Sequence, residues 1–89
     1  MTDQEIIGRA NEALAKEFEL DVADMRPEAS FREDLGLDSL DAVDMVIVLE
    51  QEFGVKIGKD PAIATIEKVG DLHEYIIAKK RSALSSSMN

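Results

Sequence analysis

The chain has 89 residues, enough for one small domain with a modest core and too few for a separate catalytic domain. Hydrophobic residues make up 45% but aromatics only 4%, with no Trp, so the core has to be built from Ile, Leu, Val, Ala and a few Phe and Met, which favours helices packed on one another over an aromatic-rich sheet. A formal net charge of −9, from 19 acidic against 10 basic residues, repels nucleic acid and anionic membranes and attracts proteins with basic patches.

Thr2-Asp3-Gln4-Glu5 reads as a capping box, with Thr2 as the cap and Glu5 reaching back. Ile6, Ala10, Ala13, Leu14 and Phe18 recur at helical spacing, which predicts a first helix over residues 3–17. Glu5, Arg9, Glu12, Lys16 and Glu19 fall on its opposite, solvated face. Residues 19–37 have no sustained period and are punctuated by Pro27 and Gly36, so they read as a long connection that needs anchoring. Leu20, Val22, Met25, Phe31, Leu35 and Leu37 are spaced to pin it to the core, and Ser30 with Glu33 has the box-like pattern of one short helical turn.

The second helix is predicted from Ser39 to Phe53, with Asp38 as N-cap and Asp41 three residues on as the reciprocal acid. Gly54 suits a left-handed C-cap. Ala42, Met45, Val46, Leu49 and Phe53 make one apolar stripe, yet Leu40, Val43, Ile47 and Val48 are apolar too and lie beside or opposite it. Such a helix either is deeply buried between other helices or offers some of these side chains to a partner. Ser39, on the first helical residue, should point outward beside the positive end of the helix dipole, where an attached phosphate is favoured.

After Val55-Lys56-Ile57, Asp60 can cap a short helix with Pro61 at its first position and Ala62, Ile63 and Ile66 as its apolar contacts. A last helix follows Gly70-Asp71, with Val69, Leu72, Tyr75, Ile76 and Ile77 facing inward and Lys79, Lys80 and Arg81 complementing its C-terminal dipole. Residues 82–89 are mostly Ser without a period and read as a frayed tail behind a single domain of residues 1–81. The expected fold is all-α: three main helices in a bundle, with one short helix between the second and the last.

Phe31, Asp34-Leu35-Gly36, Asp38-Ser39-Leu40-Asp41 and Val43-Asp44, followed by Glu50, Phe53 and Ile57, resemble the modification site of a discrete, bacterial-type acyl carrier protein, and the similarity spans roughly residues 3–80. The resemblance implies that Ser39 carries a 4′-phosphopantetheine arm taken from coenzyme A, with Asp38 beside it, and that acyl groups ride on the arm's thiol as thioesters. It also implies partners: a phosphopantetheinyl transferase, and acyl-transferring and chain-elongating synthase enzymes with basic docking patches. Carried over by position, Asp38, Asp41, Asp44 and Glu50, with Glu52, match the acids that meet such partners; Leu40 and Ile47, apolar and off the main stripe, are assigned to the same partner face. The acids agree with the local balance, since Glu28, Glu33, Asp34, Asp38, Asp41, Asp44, Glu50 and Glu52 stand against Arg32 alone. Exposed acids give fast, salt-sensitive encounter rather than tight affinity, as a shuttle requires.

Catalysis by the chain itself is not expected. His73 is the single histidine and reads as an ordinary helix-surface residue far in sequence from Ser39. There is no Gly-rich phosphate loop, no residue set is assigned to a metal, and with no cysteine any thioester sulfur has to come from a prosthetic group. No leader-like or membrane-spanning run is read, so a cytoplasmic monomer without stable membrane association is the expectation. Gln51, and Lys59 in a third-helix segment poor in acids, depart from the usual fatty-acid carrier pattern. The function expected is therefore that of a carrier in fatty acid or specialised lipid biosynthesis. A polyketide, aminoacyl or D-alanyl carrier and an unmodified acidic adaptor are the alternatives.

Overall fold

A computed structural model describes the backbone of residues 2–58 and 60–87 and the side chains of residues 2–58 and 60–81. Among the described residues the elements are three α-helices, α1 (Asp3–Phe18), α2 (Ser39–Phe53) and α3 (Val69–Ser87), with 3₁₀ turns at Val22–Asp24 and Pro61–Thr65 and no strand. The all-α expectation is met.

Helices α1 and α2 start where a side chain satisfies free N–H groups. At α1 the Thr2 hydroxyl accepts the Glu5 N–H at 3.2 Å and the Glu5 carboxylate accepts the Thr2 N–H at 3.3 Å. Helix α3 begins at Val69, ahead of the Gly70-Asp71 start expected: the N–H groups of Val69 and Gly70 are taken by the carbonyls of Ala29 and Pro27, and the Asp71 carboxylate accepts the N–H groups of Glu67 and Lys68 just before the helix at 3.3 and 3.1 Å. Helix α2 ends as expected, with Gly54 at φ 64° and its N–H bonded to the Glu50 carbonyl.

Helix α1 packs against both α2 and α3. Ile6, Ala10 and Leu14 of α1 meet Met45, Leu49 and Phe53 of α2 and Val69, Leu72 and Ile76 of α3 in one buried cluster. Leu14, Leu49, Val69 and Ile76 are fully enclosed.

The long connection is anchored more by backbone bonds than its apolar spacing foretells. The N–H groups of Phe31, Val69 and Gly70 bond to the carbonyls of Glu67, Ala29 and Pro27, and Ser30 pairs with Lys68 in a single antiparallel bridge. Gly70 makes this approach feasible, because a Cβ there would sit 3.0 Å from the Pro27 carbonyl oxygen. Met25, Ala29, Phe31 and Leu37 are buried. Val22 is not, at 48% exposure, because it lies in a 3₁₀ turn that Asp21 caps and that lifts its side chain off the core. Ser30 accepts the Glu33 N–H as expected, but the reciprocal acid is Asp34, whose carboxylate takes the Ser30 N–H at 2.6 Å.

Two further expectations are corrected. Helix α3 runs on to Ser87, so residues 82–87 have helical backbone instead of forming a frayed tail; no Gly or Pro interrupts them, and continuing a formed helix adds one hydrogen bond per residue fixed. Met88 and Asn89 lie outside the described residues. Lys79, Lys80 and Arg81 consequently sit mid-helix and serve other elements. Lys79 reaches Asp60, Lys80 donates to the Phe53 carbonyl at the end of α2, and Arg81 pairs with Asp3 at 2.9 Å.

Candidate functional site

The start of α2 is closed by a complete capping box. The Asp38 carboxylate accepts the N–H groups of Leu40 and Asp41 at 2.9 and 3.1 Å, and the Asp41 carboxylate accepts the Asp38 N–H at 3.0 Å. These bonds, the Asp41 N–H first, hold the Asp38 carboxyl below the usual carboxylate range, with Arg32 adding to the effect. Asp38 is therefore ionised and committed to its own backbone. Ser39 follows as the first helical residue, exposed, and its hydroxyl joins no hydrogen bond among the described residues.

From Ser39 the surface of α2 divides. Leu40, Val43 and Ile47 recur at three- and four-residue spacing and are 77%, 59% and 46% exposed. They are the exposed alternative left open by the sequence, and burial claims Met45, Leu49 and Phe53 instead. Val43 belongs with Leu40 and Ile47; its spacing from both was the signal for it. Asp44 is exposed on the same flank, and Glu52 is exposed one turn past Val48.

Glu50 behaves differently. Its carboxylate accepts the N–H groups of Ile57 and Gly58 at 2.8 and 3.0 Å, and these bonds, Ile57 first, hold its carboxyl low. It fixes the chain leaving α2 and is not a loose surface charge. Asp41 is likewise engaged in the capping box, so Asp44 and Glu52 are the acids of the expected face with no side-chain bond among the described residues.

Between α2 and the Pro61–Thr65 turn lies an open groove of about 1030 Å³, with Ser39 among its lining residues. Its walls are mostly apolar: Phe31, Leu37, Val43, Met45, Val46 and Ile47 on one side, Ile63, Ala64 and Ile66 on the other. Arg32, Glu33 and Asp38 also line it. Helical spacing exposes the α2 wall to sequence reasoning, but the wall from the short turn is brought there by tertiary structure alone.

His73 is not the surface residue expected. It is 5% exposed, its Nε2 lies 2.7 Å from Asn11 Oδ1, and burial pushes its pKa below the ordinary 6.5. It bonds α3 to α1 and takes no part in the groove. No group of His, Asp and Glu suited to hold a metal ion occurs among the described residues, nor does a helix long and apolar enough to cross a membrane. Lys59, expected to weaken the electrostatic match to fatty-acid partners, lies outside the described residues.

Comparison with known proteins agrees with this arrangement. The family described as phosphopantetheine attachment site matches residues 10–76. An acyl carrier protein of Helicobacter pylori (strain G27) is 44% identical over 63 residues, which span 71% of this chain and 80% of the relative. The crystal structure of an acyl carrier protein from Thermotoga maritima superposes with a TM-score of 0.77 at 32% identity, over 93% of this chain and 95% of that one.

Proposed function

The chain belongs to the acyl carrier proteins of the phosphopantetheine attachment-site family, and on that premise we propose that Ser39 is its attachment residue and that its cargo is a fatty or specialised lipid acyl group. The observation that carries the proposal is the placement of an exposed serine hydroxyl, unbonded among the described residues, on a capped helix start that lines a mostly apolar groove. The family's prosthetic group is 4′-phosphopantetheine, whose terminal thiol supplies the thioester linkage for acyl groups.

The residues present fit that group. Ser39 offers a free oxygen with no core contact to disturb. The first turn of α2 points its backbone dipole at the same place, worth about 0.3–1 kcal/mol to an exposed anion. Asp38 spends its carboxylate on the Leu40 and Asp41 N–H groups and so fixes the backbone of the helix start on which Ser39 stands. None of these residues has to act as a base toward the hydroxyl; that role falls to the modifying enzyme. The groove then offers apolar walls to an alkyl chain, at ~25 cal/mol per Å² of apolar surface removed from water. This favours a lipid acyl chain over an aminoacyl or D-alanyl group, which has little to bury.

The family interacts with phosphopantetheinyl transferases and synthases. For this chain we place the docking face on Leu40, Val43 and Ile47 with Asp44 and Glu52, and assign Asp41 and Glu50 chiefly to shaping it. A central apolar patch rimmed by acids suits partners with a basic, partly apolar surface.

The test is incubation with coenzyme A and a broad-specificity phosphopantetheinyl transferase, read by intact mass. The wild type should gain one arm and Ser39→Ala none, with equal helicity by circular dichroism. An arm on the Ala variant would refute the assignment. Mass analysis of the protein drawn from its own cells identifies the cargo; a short amino-acid adduct there would overturn the lipid reading.

A further inference from the structure

A phosphodiester at Ser39 adds a negative charge to a face that is already acidic, and most donors of the helix start are in use. The Asp38 carboxylate takes the N–H groups of Leu40 and Asp41, and the Ala42 N–H bonds to the Asp38 carbonyl. From Glu28 to Glu52 the single base is Arg32. It lies in the turn after Ser30, and the Leu37 N–H bonds to the Phe31 carbonyl at 2.8 Å. That bond draws the two ends of the loop together, so Arg32, one residue past Phe31, is carried toward Asp38, one residue past Leu37. Arg32 and Ser39 line the same groove, and the charge of Arg32 is felt at the Asp38 carboxyl. The Arg32 side chain is exposed and joins no hydrogen bond or ion pair among the described residues. The acids around it are otherwise committed: Asp34 accepts the Ser30 N–H, and Asp38 caps α2. Glu33 is the next residue along the same turn, and adjacent residues on a helical turn do not face each other. Arg32 thus keeps five N–H donors without a protein acceptor, in the groove that Ser39 lines.

We propose that Arg32 is the phosphate ligand of the arm: with the arm on Ser39, the Arg32 guanidinium donates to the phosphodiester oxygens and holds the root of the arm at the groove. The inference rests on Ser39 being the attachment residue proposed above. The chemistry of the two groups matches. A phosphodiester carries one negative charge on two unesterified oxygens. A guanidinium is a planar fork that meets two such oxygens at once, stays protonated and is weakly hydrated. The pairing offsets the charge that the arm brings, which the acids of α2 would otherwise oppose. It also leaves Asp44 and Glu52 unneutralised for the docking face. Arg32 acts on where the arm leaves the domain and takes no part in chemistry at the thiol.

The test is a thermodynamic cycle in which attachment of the arm is one change and Arg32→Gln the other. Wild type, Arg32→Gln and Arg26→Gln are melted at low salt, each without the arm and with it, after intact mass has shown attachment to be complete. Arg26 belongs to the same connection, lines no part of the groove and pairs with Glu28, so its loss reports the removal of one positive charge alone. On attachment, Arg32→Gln should lose about 2–5 °C of Tm relative to the change in wild type, as expected for one exposed charge pair in a small domain. Arg26→Gln should follow the wild type. The same change in all three proteins, or an equal extra loss in Arg26→Gln, overturns the proposal. Nitrogen-15 NMR of the wild type gives a second readout. The heteronuclear NOE at Arg32 Nε should rise when the arm is attached, while that at Arg26 Nε stays constant; an Arg32 side chain as mobile with the arm as without it overturns the proposal. An arm on Ser39 that produces neither effect refutes the role of Arg32 alone. A wild type that takes no arm refutes the attachment reading and this inference with it.

Discussion

Leu49 and Ile47 lie two residues apart on α2 and are equal in size, yet they face opposite environments: Leu49 is fully enclosed and Ile47 is 46% exposed. Truncating each to Ala should separate core from docking face. A fully buried Leu→Ala change costs about 2–5 kcal/mol, and the upper half applies here because Leu49 sits among side chains from all three helices that cannot close the cavity. A domain of this size has roughly 4–13 kcal/mol in total, at ~0.05–0.15 kcal/mol per residue. At about 4–8 °C per kcal/mol, a loss of about 4 kcal/mol lowers Tm by about 16–32 °C. For Ile47→Ala, only about half of the ~1.5–3 kcal/mol of a buried side chain is at stake. The better helix propensity of Ala returns a few tenths of a kcal/mol, leaving a net loss of about 0.5–1 kcal/mol. Thermal and urea unfolding by circular dichroism, with arm-transfer rates measured well below Tm, make the comparison. Leu49→Ala should be much less stable yet modified at near wild-type rate while folded; Ile47→Ala should be nearly as stable as wild type and modified more slowly. Equal destabilisation by the two changes would refute the division of α2 into buried and docking faces.

The acids of the same helix should also divide. Asp44→Lys should keep the fold and slow modification by the transferase at low salt, with the deficit shrinking as salt screens it; a wild-type rate at low salt would remove Asp44 from the docking face. Glu50→Gln should increase amide exchange at Ile57 and Gly58, because the ionised acceptor of both N–H groups is lost, and unchanged exchange there would contradict its bracing role. His73 is held neutral by burial, with its folded pKa below the ordinary 6.5. Below that value the unfolded chain binds the proton more readily, so this residue's contribution to stability is present above pH 6.5 and declines as pH falls toward the folded pKa. Urea midpoints for wild type and His73→Gln should converge over that interval, and parallel pH profiles would exclude His73 as the cause. With a net charge of −9 the fold repels itself, so added salt should raise Tm; a Tm independent of ionic strength would show that repulsion is not limiting.

The sequence by itself determined the local parts: the Thr2–Glu5 and Asp38–Asp41 boxes, the Gly54 stop, the Asp60-Pro61 start and the buried stripes of the helices. Each depends on groups within a few residues of one another, where covalent connection and helical geometry leave little choice. It also carried the family, because the motif around Ser39 is one continuous stretch. Tertiary structure alone decided what depended on distant partners. His73 became a core residue because Asn11, 62 positions away, accepts its bond. Lys80 caps α2 across 27 positions, and Tyr75 and Lys79 clasp Asp60 across 15 and 19. Gly70 is required because Pro27 passes against it, and the groove exists only because the Pro61–Thr65 turn is brought opposite α2. A polar side chain with a free choice of long-range partner leaves no periodic trace in the chain. Its role is settled when burial removes water and one protein group is left within hydrogen-bonding reach.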